Sequence, residues 1–187
     1  MRKILLSVGL LALAVAVFVL RQRPGAQAGA GPSEEVRKAA QEFPQGTKWL
    51  QSKPLTLASL RGRVVVVHFW TFGCINCIHN YPVYKTWQAK YAGKEVTIVG
   101  VHTPEFANEA DVDRVSAKAR ANGLKFPIAV DNDSRIWKRW DNRYWPSIYL
   151  IDKKGQVRYR WEGELDPKSV KGREFVSRID ALLAEKS

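Results

Sequence analysis

Residues that hold metal ions or build disulfide scaffolds are scarce in this sequence. It has two cysteines, three histidines and one methionine among 187 residues. Structural zinc sites usually need four ligands, and no second pair of cysteines is present to complete one. Cys74 and Cys77 are separated by two residues, and a disulfide across so short a loop would stabilise little. The sequence therefore disfavours both a structural zinc site and a structural disulfide.

The sequence also lacks a run of basic residues, although its formal net charge is +12. Lysine and arginine are scattered, and four of them flank an apolar segment near the start of the chain: Arg2, Lys3, Arg21 and Arg23. Nucleic-acid interfaces usually concentrate their positive charge in a patch or stripe. We therefore expect no nucleic-acid partner.

The apolar segment covers residues 4–20 and follows a positively charged start. It has two interpretations, an uncleaved membrane anchor over residues 1–23 or a signal peptide cleaved after residues 26–28. Arg21 and Arg23 follow the apolar run directly, which favours the anchor. In either case we expect an exported working domain. The favoured anchor would hold it at the cytoplasmic (inner) membrane, facing the periplasm.

The rest of the chain divides into a tether and one domain. Residues 24–44 read as a linker rich in Gly, Ala, Pro and Gln, with a possible short helix over residues 33–43. Residues 45–187 contain no internal repeat and are long enough for one buried core. We expect a single globular domain there.

Strand and helix patterns alternate along this domain. Continuous β-branched runs at residues 64–70 and 96–102 predict strands buried on both faces. A helix is expected over residues 74–91, with a kink at Pro82. Further elements are expected as a hairpin within 49–57, a turn at 61–62, a helix at 108–121, a strand at 126–130, a helix at 134–140, a hairpin of 147–152 with 156–161, and a helix at 170–183. This order predicts an α/β fold with a central mixed sheet flanked by helices.

The two cysteines lie where the first buried strand meets a helix. A c-type haem attachment needs His directly after the second Cys, but Ile78 stands there and His79 comes one residue late. A helix start can stabilise a thiolate on Cys74, and Cys77 lies one turn further along. The pattern therefore predicts a redox dithiol, in which Cys74 attacks a disulfide and Cys77 resolves the mixed disulfide. Such exchange requires no metal or organic cofactor.

Three segments carry a resemblance to a known family. Residues 69–77 (FWTFGCINC), 98–106 (IVGVHTPEF) and 143–152 (RYWPSIYLID) resemble the DipZ-like branch of the TlpA/ResA thioredoxins. The resemblance runs from about residue 45 to the end of the chain and implies a thioredoxin-like fold. It implies an extracytoplasmic protein thiol–disulfide oxidoreductase, often membrane-tethered, fed electrons by a CcdA/DsbD-type membrane partner. A reductive role, in cytochrome c maturation or periplasmic thiol maintenance, is expected.

The resemblance also assigns roles to single residues. Cys74 is the expected nucleophile and Cys77 the resolving thiol. Pro146 is the expected cis-proline facing the dithiol, with an ordinary trans turn proline as the alternative. Glu105 is expected to tune the thiols, with a place at the start of a helix as the alternative.

Four aromatic residues near these segments are expected to contact the substrate, namely Trp70, Phe72, Tyr144 and Trp145. His68 matches the strand position that holds a buried Asp in thioredoxin. A hydrogen-bonded core histidine is the favoured interpretation, and a proton relay to the resolving thiol is the alternative.

Two other functions stay open. A copper-binding assembly factor could use Cys74, Cys77 and His102, since thiolates and imidazole suit copper. A redoxin-type thiol peroxidase would need a Pro-x-x-x-Thr/Ser-x-x-Cys pattern. Thr71 fits that pattern, but Val67 stands where the proline is needed.

Overall fold

The computed structural model describes residues 34–186, which form seven strands, five α-helices and two short 3₁₀ turns. The strands are β1 (Glu34–Ala39), β2 (Lys48–Leu50), β3 (Val64–Trp70), β4 (Val96–His102), β5 (Ile128–Val130), β6 (Ser147–Ile151) and β7 (Gln156–Glu162). The helices are α1 (Ile75–His79), α2 (Tyr81–Lys90), α3 (Val112–Ala121), α4 (Arg135–Arg139) and α5 (Val170–Ala184), and the 3₁₀ turns are Ala58–Leu60 and Ala107–Glu109.

All seven strands join one mixed sheet in the order β1-β7-β6-β3-β4-β5-β2. Strands β3, β4 and β5 run parallel, and β6 runs antiparallel to β3. The carboxyl ends of β3 and β4 therefore meet the start of β6 at one edge, where Trp70 pairs with His102 and Phe69 with Ser147. We call this edge the dithiol edge, because Cys74 follows β3 there.

Central strand β3 is buried along its whole length, as its continuous apolar run predicts. Its side chains alternate between two clusters. Val64, Val66 and Trp70 pack under α1, α2, α3 and α5, whereas Val65, Val67 and Phe69 pack under α4 and the Ala58–Leu60 turn. Helices thus flank both faces of the sheet, as expected.

Two predictions near the start of the domain are wrong. The possible helix over residues 33–43 is instead edge strand β1, which pairs antiparallel with β7. The sheet consequently begins within the predicted linker, before residue 45. The expected hairpin within residues 49–57 does not form, because β2 pairs with β5 and the chain continues into the Ala58–Leu60 turn. Pairing with strands far away in the sequence sets the conformation of both segments and overrides their local pattern.

The helix after the dithiol is interrupted at Asn80 rather than at Pro82, which lies in the first turn of α2. The buried Asn80 side chain accepts a hydrogen bond from the Leu165 backbone N–H at 2.7 Å and donates one to the Gly163 carbonyl at 3.4 Å. Asn80 therefore ties the helix break to the segment between β7 and α5.

The remaining elements agree with the expected ones within a few residues. Helix α3 begins later than expected, at Val112, because Asp111 caps it by accepting hydrogen bonds from Asp113 N and Arg114 N. The predicted turn at residues 61–62 is present, with Gly62 at a φ of 82°. Among the described helices, none combines the length and apolar character needed to cross a membrane. The expected anchor over residues 1–23 lies outside the described residues.

Candidate active site

The two thiols occupy different environments at the start of α1. Cys74 has extended backbone angles, so its sulfur turns back over the first helical turn and accepts a hydrogen bond from Cys77 N at 3.3 Å. Cys74 is half-buried and Cys77 is fully buried, and both are free thiols. Only the first sulfur is therefore open to a large reaction partner.

The two thiols also differ in their pKa values. A hydrogen bond from the Cys77 side chain, with help from the backbone N–H groups of Cys77 and Asn76, lowers the pKa of Cys74 to about 7. Burial is the main cause that raises the pKa of Cys77 well above its ordinary value. Around neutral pH the pair consequently holds a thiolate on Cys74 and a proton on Cys77.

The loop before β6 completes the dithiol edge. The Trp145–Pro146 peptide bond is cis, as expected, and Pro146 is buried. The Trp145 indole donates a hydrogen bond to the Thr103 carbonyl at 3.1 Å and packs on Trp137 with ring centroids 4.0 Å apart. These contacts join the β6 loop to the segment that follows β4.

The structure corrects two of the four expected substrate contacts. Trp70 is fully buried beneath the dithiol, so its ring cannot reach a substrate. Phe72 is buried too, stacked on His102 at 5.6 Å and covered by the Arg114 guanidinium at 5.3 Å. Tyr144 is exposed and Trp145 is half-buried, so both stay available for contact.

Three exposed apolar side chains near the dithiol escaped the sequence analysis. They are Ile75 and Ile78 on α1, and Phe106 after β4. Tyr144, which was expected as a substrate contact, precedes β6. The strand directions bring all of them to the dithiol edge. The signal was present for the isoleucines, because Ile75 and Ile78 stand three residues apart in a helix and Cys77 already claims the buried side.

Glu105 follows β4 and is exposed. Its negative charge is the weakest of the causes that raise the pKa of Cys74 and Cys77, and its role in tuning the thiols stays a prediction. A second acid, Glu109, is almost fully buried and was missed. Glu109 ends a short turn three residues after Phe106, a spacing at which a carboxylate can cap free backbone N–H groups, and that spacing is the available signal.

The two buried histidines are core residues. His68 stacks on Tyr84 with centroids 3.9 Å apart, and within residues 34–186 neither of its ring nitrogens has a hydrogen-bond partner. His68 is therefore a core histidine, as expected, but the expectation that its ring is hydrogen-bonded is wrong. Burial lowers the pKa of His68 to about 3 and that of His102 to about 4.

His102 does not extend the dithiol into a metal site. Its Nε2 lies 3.2 Å from Thr71 Oγ1, and its ring stacks on Phe72 and meets Trp70 edge-on. The described part of the chain contains no group of three His, Cys, Asp or Glu side chains placed to hold a metal ion.

Comparison with known proteins agrees with this geometry. The AhpC/TSA family matches residues 36–160. The chain is 43% identical to protein DipZ of Mycobacterium tuberculosis over 123 residues, which cover 64% of this chain but 18% of DipZ. It is 30% identical to the thiol–disulfide oxidoreductase ResA of Bacillus thuringiensis, over 66% of this chain and 68% of ResA.

A solved structure shares the fold. The crystal structure of a thioredoxin-like superfamily protein matches with a TM-score of 0.71 and 27% identity, covering 80% of this chain and 98% of the other. The thioredoxin-like fold with its central mixed sheet is thereby confirmed. The chain spans less than a fifth of the length of DipZ, so it is similar to one part of that larger protein.

Proposed function

We propose that this chain, which belongs to the AhpC/TSA family, is a thiol–disulfide oxidoreductase of the TlpA/ResA/DipZ type with Cys74 and Cys77 as its redox centre. The observation that carries the proposal is the asymmetry of the two thiols. Cys74 is accessible with a pKa lowered to about 7, while Cys77 is buried and holds its proton. One sulfur is suited to attack and the other to resolve.

The exchange follows from that asymmetry. The Cys74 thiolate attacks one sulfur of a substrate disulfide, the substrate S–S bond breaks, and a substrate thiolate leaves. Cys77 then gives up its proton and attacks Cys74 Sγ, which releases the second substrate thiolate and forms the Cys74–Cys77 disulfide. Two electrons pass to the substrate in all, and the same steps run backwards in oxidation.

The exposed apolar side chains around Cys74 support a protein as the substrate. Ile75, Phe106 and Tyr144 lie at the dithiol edge, with 60%, 63% and 57% of their areas exposed. Apolar and aromatic groups clustered around one reactive atom are typical of a contact surface for another chain. Protein dithiols and disulfides are therefore the proposed partners.

The proposal includes a reductive direction in an extracytoplasmic setting. A strongly acidic thiol stabilises the reduced form and makes an oxidant, with a pKa of about 3.5 in DsbA against about 7 in thioredoxin. The Cys74 pKa of about 7 matches the reducing case. We propose tethering by residues 1–23, electron supply from a CcdA/DsbD-type membrane protein, and disulfides of extracytoplasmic proteins, apocytochrome c among them, as substrates.

Cysteine variants test the assignment of roles. Cys74→Ser should abolish reduction of a protein disulfide such as insulin, because no attacking thiolate is left. Cys77→Ser should accumulate a mixed disulfide through Cys74, visible by mass spectrometry and released by dithiothreitol. Retained exchange in Cys74→Ser would contradict the mechanism. The reduction potential tests the direction, since a value near −120 mV rather than about −270 mV would indicate an oxidant.

A further inference from the structure

The buried Glu109 carboxylate binds the segment that carries Glu105. Its Oε2 accepts hydrogen bonds from the backbone N–H groups of Glu105 at 2.7 Å and of Phe106 at 3.1 Å. Glu109 itself is 1% exposed. The chain between β4 and α3 is therefore fixed by a carboxylate inside the protein rather than by its own exposed side chains.

The other oxygen of this carboxylate faces the dithiol loop. Glu109 Oε1 is buried and has no hydrogen-bond partner among residues 34–186. It lies against Gly73, the residue before Cys74, and a Cβ added to Gly73 would overlap it. The φ angle of Gly73 is not positive, so backbone conformation does not demand glycine there. What glycine supplies at this position is room for the carboxylate.

Glu109 thus contacts both the segment that carries Glu105 and the loop that carries Cys74. The charge of exposed Glu105 raises the pKa of Cys74 and Cys77, and the size of that effect depends on distance. In a free loop the exposed Glu105 carboxylate could move away from Cys74, and its screened charge would then act on the thiol more weakly. The hydrogen bonds from Glu105 N and Phe106 N to Glu109 restrict that movement.

We propose that Glu109, seated in the space left by Gly73, is a positioning residue that holds the Glu105 segment against the loop carrying Cys74. It thereby sets how strongly the Glu105 charge opposes formation of the Cys74 thiolate. The inference rests on the proposed function only in taking Cys74 as the reactive thiol.

The test measures the coupling between Glu105 and Cys74 in the presence and absence of Glu109. In the reduced protein at low ionic strength and pH 6, Cys74 is alkylated with iodoacetamide and quantified by mass spectrometry of its peptide. Glu105→Gln should raise this rate by about 1.5- to 5-fold, the range of one exposed charge interaction. In a Glu109→Ala background, the same substitution should leave the rate unchanged.

Two further variants approach the contact from other directions. Glu109→Gln keeps an oxygen that can accept from Glu105 N and Phe106 N, so it should retain the coupling. Gly73→Ala leaves Glu109 in the sequence but places a methyl group where its Oε1 lies, so it should lose the coupling. These two variants carry the test if Glu109→Ala fails to fold.

Glu42 offers a control on the opposite face of the sheet, where Phe43 and Leu57 are buried. Its carboxylate also binds backbone, accepting from Phe43 N at 2.9 Å, Leu57 N at 2.7 Å and Ala58 N at 3.2 Å. Glu42→Ala removes a comparable clamp and should leave the Glu105 effect on Cys74 intact.

A full Glu105→Gln effect in both the Glu109→Ala and Gly73→Ala backgrounds would overturn the inference. Loss of the effect in Glu42→Ala would also overturn it, because a general loosening of the fold would then be the cause. Since the readout is alkylation of Cys74 rather than turnover, failure of the proposed exchange reaction would be seen separately, in the cysteine variants.

Discussion

The two faces of the central sheet are built from alternate residues of the same strands, yet they treat buried polar groups differently. On the face opposite the dithiol, Asp131 accepts hydrogen bonds from Ile136 N and Trp137 N, and Tyr149 donates one to Asn142. On the dithiol face, five unpartnered atoms lie among the described residues: His68 Nδ1 and Nε2, Trp70 Nε1, His102 Nδ1 and Glu109 Oε1. The opposite face has fewer in the same part of the chain, namely Trp140 Nε1 and the Nε of Arg160, which lies over Tyr149.

This difference shows where the folded protein tolerates buried polar groups that lower its stability. A buried polar group without a partner destabilises the folded state by about 1–3 kcal/mol. Such groups are rare in ordinary cores and accumulate where function sets the local chemistry. The dithiol face therefore carries more of this cost than the opposite face, close to Cys74 and Cys77. Substitutions confined to one face should separate stability from the chemistry of the thiols.

Phe69→Ala gives the largest expected effect. Phe69 is fully buried on the opposite face, with edge contacts to Trp137, Trp140 and Tyr149. Loss of its ring should lower the free energy of unfolding by about 3–5 kcal/mol, measured by urea denaturation. The pH dependence of Cys74 alkylation should stay centred near pH 7. A displaced Cys74 titration would show that the faces are not independent.

His68→Phe tests the cost carried by the dithiol face. The folded protein holds His68 neutral with a pKa near 3, against 6.5 when unfolded, so the unfolded chain binds the extra proton as pH falls below 6.5. Stability from this residue is therefore lost toward acid, by about 2 kcal/mol between pH 7 and pH 5. The variant should lose that part of the acid sensitivity.

Urea denaturation of both proteins at pH 7 and pH 5 measures this difference. A phenyl ring removes the unpartnered nitrogens but is larger than the imidazole that packs against Tyr84 and Phe126, so the readout is the pH dependence rather than the stability at pH 7. His102 should keep its own acid dependence in both proteins. An unchanged pH dependence in His68→Phe would contradict the buried neutral imidazole.

Tyr144→Ala should have the smallest effect and only on substrate binding. Because its ring is exposed, the free energy of unfolding should change by no more than about 0.5 kcal/mol. KM for a protein disulfide should rise by about 2- to 5-fold, as expected for a peripheral contact. Val170→Ala removes an exposed apolar side chain at the start of α5 and serves as the control, with KM unchanged.

Local patterns were enough for the central part of the fold. The runs at Val64–Trp70 and Val96–His102 predict buried strands because only a strand covered on both faces uses such a sequence. The dithiol at the strand–helix junction and the proline before β6 were equally readable. Edge strand β1 was not, because its pairing with β7 is set by residues more than a hundred positions away.

The site shows the same division. Cys74 stands at the start of α1 and Cys77 lies one turn inside it, so the more exposed first sulfur and the buried second one could be predicted from their places along the helix. Trp70 and Phe72 looked like substrate contacts because they flank the cysteines, but strand alternation and packing on His102 bury both. Glu109 is a charged residue in a polar segment of the chain, and only the folded structure places its carboxylate against Gly73.

The sequence by itself determined the position of the dithiol, the strand that precedes it, and the order of elements around it. These depend on short-range periodicity and on spacing along one helix. The tertiary structure alone decided which acid is buried beside the dithiol loop, which aromatic rings face solvent, and which histidines lack partners. Those properties depend on contacts between segments far apart in the chain, which the local pattern of hydrophobic and polar residues does not encode.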